Sequence, residues 1–188
     1  MPNVSSAGGS RTRTGPSKLC HTPDAPSASS NGWPKPTLQA VDIYERLAQT
    51  DPDRHEPDLA GTLSNLGVQL AYMERSAQAL SATQRAVDIY EQRAQTDPDR
   101  YESDLARTLH NLGTRLSALG ESGRGLSAVQ RAVDIYERLA QLDPDLHEPD
   151  LARALTSFGI QLRALSRSSE ARSVARRAYG IRRPQNAR

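Results

Sequence analysis

The chain has 188 residues, 36% of them hydrophobic and only 4% aromatic, with one Trp and one Phe. That leaves room for one domain or a short array of repeats, excludes a large multidomain enzyme, and obliges any core to be built from Leu, Ala, Val and Ile. The formal charge is +2, and the single cysteine, Cys20, rules out a disulfide framework or a cysteine-based zinc site within the chain. No stretch approaches the roughly 20 apolar residues of a membrane helix, and no apolar block comes after Arg11 and Arg13. A soluble, unsecreted, cytoplasmic protein is expected, without a membrane partner.

Divided by segment, the charge is uneven. Residues 1–36 carry +3, residues 37–162 carry −8 from 12 Arg against 20 acids, and residues 163–188 carry +7 from eight Arg against Glu170. All the cations except Lys18 and Lys35 are Arg, a bias that reads as GC-rich coding more than as a nucleic-acid face.

The first 36 residues contain six Pro, four Gly and seven Ser and no apolar periodicity, so residues 1–36 are expected to form a disordered arm. An internal repeat governs the remainder of the chain. The string AVDIYE begins at Ala40, Ala86 and Ala132, 46 residues apart, and Ala178-Tyr-Gly-Ile is a degraded fourth copy. Residues 40–85 match 86–131 at 29 of 46 positions, and 86–131 match 132–177 at 24 of 46. A fixed period of this size is the mark of a solenoid, in which each unit buries its apolar face only against its neighbours.

In the middle copy, Leu105, Leu109, Leu112, Leu116 and Leu119 recur at spacings of four and three, which makes one helical stripe. After a Gly-rich break, Leu126, Val129, Val133, Tyr136 and Ala140 make a second helix, and Ala128, Ala132, Ile135 and Leu139 give it a second apolar side. A helix buried on two sides sits between neighbours. Each such helix runs into Asp-Pro-Asp at 51–53, 97–99 or 143–145, where proline should end it. The next helix is expected to open at Pro57-Asp58, Ser103-Asp104 or Pro149-Asp150, with the acid at the positive end of the helix dipole. Helices are thus predicted over 37–50, 58–73, 77–96, 104–119, 123–142, 150–165 and 168–183, an all-α fold.

These residues resemble the tetratricopeptide repeat. Leu109, Leu112-Gly113 and Leu116 fill the pattern of its first helix and Ala132 the main small position of its second. One unit earlier the equivalents are Leu63, Leu66-Gly67, Leu70, Ala79 and Ala86; one unit later they are Leu155, Phe158-Gly159, Leu162, Ala171 and Ala178. The resemblance covers residues 37–183 and implies a right-handed α-solenoid of antiparallel helix pairs, with 184–188 as a basic tail. The unit of 46 is longer than the usual one of about 34, as in the long-unit variants of kinesin light chain and of many actinobacterial multi-repeat proteins; a longer second helix and a longer loop are expected to absorb the excess. The first unit lacks its first helix and nothing polar covers the last, so the ends are expected to expose apolar surface, either for self-association or because the array is a fragment.

Signals for chemistry are poor. There is no phosphate loop and no GxGxxG. His55-Glu56 and His147-Glu148 would begin a zinc motif, but Leu59 and Leu151 stand where its second His belongs. Residues 51–58 hold four carboxylates without the glycine or final Glu of a calcium loop. Cys20 has no His partner, and the sequon at Asn3 has no secretion signal to deliver it. Tyr44, Tyr90 and Tyr136 are expected in the core, and Tyr179 alone gives the Arg-rich end no stacking platform, which argues against nucleic acid. No catalytic, cofactor-binding or metal-binding residue is assigned.

The resemblance implies instead that the first helices line a groove for an extended peptide or a partner helix. Asn65 and Asn111, just before Leu-Gly, take the place where such proteins often hydrogen-bond a peptide backbone; Ser157 replaces them in the last unit. Around them, Ser64, Val68, Tyr72, Arg107, His110, Thr114, Arg153, Thr156, Ile160 and Arg163 are expected to face the same groove, with Arg107 and Arg153 placed to pair with carboxylates. The expected role is a non-catalytic protein-binding scaffold, with self-assembly as its first competitor and a nucleic-acid regulator using the basic end as its second.

Overall fold

The computed structural model describes residues 35–182, with side chains from residue 37. The arm over 1–36 and the tail over 184–188 therefore fall essentially outside the described residues, as do Cys20 and Asn3. Within them the chain forms seven helices: α1 (Lys35–Thr50), α2 (Pro52–Tyr72), α3 (Ser76–Thr96), α4 (Pro98–Ala118), α5 (Ser122–Leu142), α6 (Pro144–Ala164) and α7 (Ser168–Arg182). Each packs on the helix before and after it, so that α2–α3, α4–α5 and α6–α7 are antiparallel pairs of one solenoid.

The five complete helices, α2 to α6, each have 21 residues. A three-residue turn joins the helices of a pair and a single Asp joins one pair to the next, which together fill the 46-residue period. The first helices therefore start six residues earlier than the sequence pattern suggests. Asp51, Asp97 and Asp143 are N-caps whose carboxylates accept from the backbone N–H of Arg54, Arg100 and Leu146 at 3.3, 3.3 and 3.2 Å. Pro52, Pro98 and Pro144 come next, at the first helical position, where the missing N–H costs nothing. The Asp-Pro-Asp motif is thus a helix start, not a loop, and the extra length of the unit lies in both helices.

Pro57 and Pro149, expected at helix starts, are interior to α2 and α6. Proline there removes a backbone hydrogen bond. In α2 the turn ahead of it is held from outside: Arg93 of α3 binds Asp53 at 2.6 Å and Glu56 at 2.7 Å. In α4, where Ser103 replaces proline, Glu102 makes a corresponding ion pair with Arg138 of α5 at 2.7 Å.

The turns within pairs share one geometry. Glu74, Gly120 and Ser166 adopt left-handed φ values of 58°, 84° and 61°. The next N–H, of Arg75, Glu121 or Arg167, returns to the carbonyl of Leu70, Leu116 or Leu162 at 2.9 Å, closing a Schellman-type cap.

The core obeys the two periodicities. Leu63, Leu66 and Leu70, Leu109, Leu112 and Leu116, and Leu155 and Leu162 are buried, each contributing about 1.5–3 kcal/mol relative to exposure. Both apolar sides of α5 are covered, Val129, Val133 and Tyr136 on one and Ala128, Ala132, Ile135 and Leu139 on the other. Of the predicted Leu stripe only Leu119, the C-cap of α4, is exposed.

The helices of a pair approach most closely at the Leu-Gly positions. A Cβ on Gly113 would lie 2.4 Å from Val129 Cγ2 and 2.7 Å from the Gly125 carbonyl; one on Gly125 would lie 2.3 Å from Ser117 Oγ. At Gly67 the obstacle is Thr83 Oγ1 at 2.3 Å, whereas at Gly159 the nearest atom is 3.6 Å away. Gly113→Ala is therefore expected to destabilise the array by about 1–3 kcal/mol through overpacking. Gly159→Ala, which makes only ordinary contacts and introduces a better helix former, should be neutral or stabilising by up to about 1 kcal/mol. Urea unfolding of the two variants checks this, and equal losses would contradict the packing assignment.

Candidate groove on the first helices

The two sides of the solenoid are built differently. The backbones of α2, α4 and α6 approach one another in sequence, while among the described residues those of α1, α3, α5 and α7 stay farther apart and meet only through long side chains. The first helices thus crowd together on the inner side, and the second helices splay apart on the outer side. Long ion pairs span that outer gap: Glu45–Arg85 at 2.5 Å, Glu91–Arg131 at 2.6 Å and Glu137–Arg177 at 2.6 Å, repeated every 46 residues. Exposed pairs of this kind contribute at most about 1 kcal/mol each. Their register, one pair per gap, accounts for one of the eight arginines of the basic end; Arg167 is held by Glu170 at 2.6 Å.

On the inner side, one stripe of each first helix turns away from the Leu ladder. Along α2 it carries Gly61, Asn65, Val68 and Tyr72; along α4, Arg107, Asn111 and Thr114; along α6, Arg153, Ser157 and Ile160. Tyr72 and Ile160 are 86% and 62% exposed, Asn65 and Thr114 are exposed, and Val68 and Asn111 are half-buried. The side-chain amides of Asn65 and Asn111 have no hydrogen-bond partner among the described residues, although the Asn111 carbonyl accepts from Arg115 at 3.3 Å. Two amides, each one turn beyond a Gly or Arg and 46 residues apart, are available to an incoming backbone.

The flanking positions are spent inside the chain. Ser64 is buried at 1% exposure and does not reach the open stripe. His110, its equivalent in α4, joins α4 to α6 through Nε2 and Ser157 Oγ at 2.8 Å. Thr156, the third equivalent, donates to the Ala152 carbonyl at 2.7 Å and accepts from Arg182 of α7 at 3.1 Å. Thr114 donates to the His110 carbonyl at 3.0 Å. Arg163 is exposed near the end of α6.

Arg107 and Arg153 are bound one turn back along their own helices, to Asp104 at 2.6 Å and Asp150 at 2.5 Å. The sequence pattern places these Asp residues at helix starts; with the true start at proline six residues earlier they are mid-helix groove residues. Each Asp–Arg pair also reaches the buried tyrosine of the preceding second helix. Burial pushes the Tyr90 hydroxyl up to about 12, with Asp104 adding to the effect and Arg107 opposing it. Tyr136 is likewise pushed up to about 12 by burial, with Asp150 raising and Arg153 lowering it.

The carboxylates at 51–58, considered as a calcium loop, are spread along a helix: Asp51 caps it, and Asp53 and Glu56 face Arg93. Among the described residues no group of three or more His, Cys, Asp or Glu is placed to hold a metal ion, and no helix is long and apolar enough to cross a membrane.

Solved structures share this architecture. The crystal structure of BtubC (BKLC) from P. vanneervenii superposes with a TM-score of 0.61 at 19% identity, over 82% of this chain and 62% of that one. The fold is a tetratricopeptide-like α-solenoid. This chain thus spans less than two thirds of the BtubC length. More distant matches to tetratricopeptide-like arrays include a MamA segment from Desulfovibrio magneticus RS-1, with TM-score 0.34, 14% identity, and coverage of 79% of this chain and 98% of that one. Another is a P. anserina kinesin light chain protein of nearly identical TPR-like repeats, with TM-score 0.36, 13% identity, and coverage of 77% and 86%. No family sequence profile and no curated protein sequence matches the chain.

His110 makes the groove sensitive to acid. Burial holds its imidazole below the usual range; Arg153 and Arg115 act in the same direction, and Asp150 opposes them. A proton therefore binds the unfolded chain more readily than the folded array. The stability due to neutral His110 is present above about pH 6.5, the ordinary histidine value, and is lost as pH falls through its lower folded value. Between pH 7.5 and 5.5 the wild type should lose more unfolding free energy than His110→Gln; matching pH slopes in urea titrations would refute this.

Proposed function

We propose that the chain is a non-catalytic scaffold that takes an extended peptide or a partner helix across the inner stripes of α2, α4 and α6. The observation that carries this reading is the pair of side-chain amides without a partner among the described residues, Asn65 and Asn111, set in the same register of adjacent units. They are flanked by apolar surface at Val68, Tyr72 and Ile160. An asparagine amide offers a donor and an acceptor to one peptide unit, so two of them one repeat apart can fix the direction of a bound chain while the exposed side chains choose its sequence. The cytoplasmic setting expected from the sequence belongs to the same reading.

Peptides selected from a random displayed library on the full chain provide the test. Each hydrogen bond to the peptide backbone contributes about 0.5–1.5 kcal/mol. Asn65→Ala and Asn111→Ala should therefore each weaken the selected peptides about two- to tenfold by calorimetry, and the double variant by the product. Unchanged affinity in the double variant would remove the groove from the reading.

A second reading, end-to-end self-association, is favoured by one observation. Ile43 of α1 is 48% exposed, while Ile135, in the same register of α5, is 7% exposed. Light scattering across a wide concentration range should then show reversible growth that Ile43→Glu abolishes; a concentration-independent monomer excludes it.

A further inference from the structure

The three inner stripes differ at one position in a way that leaves a cavity. Arg107 in α4 and Arg153 in α6 each fold back on the Asp three residues earlier, close enough to the tyrosine of the preceding second helix, Tyr90 and Tyr136 respectively, to act on its hydroxyl electrostatically. In α2 the same register holds Gly61. Asp58, three residues earlier, has no ion-pair partner among the described residues and is exposed, whereas Asp104 and Asp150 are half-buried under their arginines. Tyr44, the tyrosine that an arginine at position 61 would cover, is half-buried, while Tyr90 and Tyr136 are buried. Where the side chain is missing there is a cavity of about 430 Å³, lined by Tyr44, Asp58, Gly61, Asn65, Tyr90 and Asp104 among others.

We infer that this cavity is a receptor for the guanidinium group of an arginine side chain on the bound partner, which supplies from outside the cation that the neighbouring units carry themselves. The inference rests on the groove reading above and specifies what one subsite of that groove selects. The chain provides its own precedent twice: a guanidinium against Asp104 at 2.6 Å and against Asp150 at 2.5 Å, each beside a tyrosine. Asp58 offers an open carboxylate for the kind of guanidinium N–H to Oδ1 bond that Arg107 and Arg153 make, and Tyr44 and Tyr90 line the same space. The other cation at the rim, Arg100, is held over the Tyr101 ring at 5.1 Å, and Asp104 is already occupied by Arg107. Asp58 is the carboxylate left open. Because Asn65 lines the same cavity, a peptide backbone bound to its amide would pass directly over the opening.

Gly61→Arg is the deciding variant, since it plugs the cavity from within. A Cβ at position 61 meets only the Tyr90 hydroxyl, at the ordinary contact distance of 3.4 Å, and α4 and α6 show that the fold carries arginine in this register. The variant should unfold at or above the wild-type midpoint. The probe is N-acetylarginine amide, titrated into the full chain labelled for NMR, with N-acetylcitrulline amide as the uncharged isostere.

Saturable shifts at Gly61, Asn65 and the Tyr44 ring are expected with the arginine probe in the millimolar range. They should be at least tenfold weaker with citrulline, absent in Gly61→Arg, and reduced at least fivefold in Asp58→Asn. Equal response to the two probes, shifts that persist in a folded Gly61→Arg, or preferential binding of N-acetylglutamate amide through Arg100 would each overturn the inference. The groove reading fails separately. If selected peptides depend on Asn65 and Asn111 but neither on an arginine of their own nor on Gly61→Arg, the groove stands and the subsite falls. If the arginine probe binds while Asn65→Ala and Asn111→Ala leave peptide affinity unchanged, the subsite stands and the groove falls.

Discussion

The single-residue joint between pairs sets the geometry of every other part of the array. Asp51, Asp97 and Asp143 end one helix and cap the next, with proline immediately after. A joint this short gives the chain no slack, so the two helices it connects must lie side by side. With both helices of a unit equal at 21 residues and a three-residue turn at the other end, every unit returns the chain to the same height. That is why the ion pairs on the outer side recur with an unvarying separation of 40 residues and why the inner stripes stay in register from α2 to α6.

The close glycine contacts work within this frame. At Gly113 and Gly125 the two backbones of a pair meet without side chains between them, while in the first and last pairs an alanine, Ala79 or Ala171, takes one of the two places. The middle pair is therefore the tightest. Crowding on the first-helix side, against splaying on the other, makes one surface inner and continuous. The same asymmetry brings His110 and Ser157 together as a half-buried polar bridge between first helices, and burial there disfavours a proton on His110.

Much of this is legible in the sequence because a repeat states its own alignment. Helix type, pair count, core ladder and the small residues at close approach all come from the period and the spacing of Leu and Ala. The helix starts do not, for a physical reason: proline reads as a terminator, although directly after a capping Asp it is pre-set for the first turn. Nor can local propensity reveal that Pro57 is carried inside α2, because what holds the turn before it is Arg93, distant in sequence. Misplacing the starts hides that Asp58, Asp104 and Asp150 lie inside their helices, beside the inner stripe. Ser64, His110 and Thr156 lie one residue from the open stripe, and a difference of one residue along a helix turns a side chain by about 100°: Ser64 is buried, His110 meets Ser157 of α6, and Thr156 meets Ala152 and Arg182 of α7.

Where the near-copies disagree is as informative as where they agree. Between residue 58 and residue 72, α2 and α4 keep Asp, Leu-Ala, Thr-Leu, Asn-Leu-Gly and Leu at corresponding positions, which is the core ladder plus the groove asparagine and the groove acid. They differ at Gly61, Ser64, Val68 and Tyr72, spaced three, four and four, and otherwise only at Gln69 and Ala71. That spacing traces the inner stripe and its flank. Stacking fixes the buried ladder and leaves this more open stripe free to change from unit to unit. Three different surfaces held in one register, with the asparagine kept in two of them, break the symmetry of the array. On the proposed groove reading, an extended ligand would find one alignment better than the same alignment shifted by a unit, because a shift of 46 residues exchanges Gly61 for Arg107.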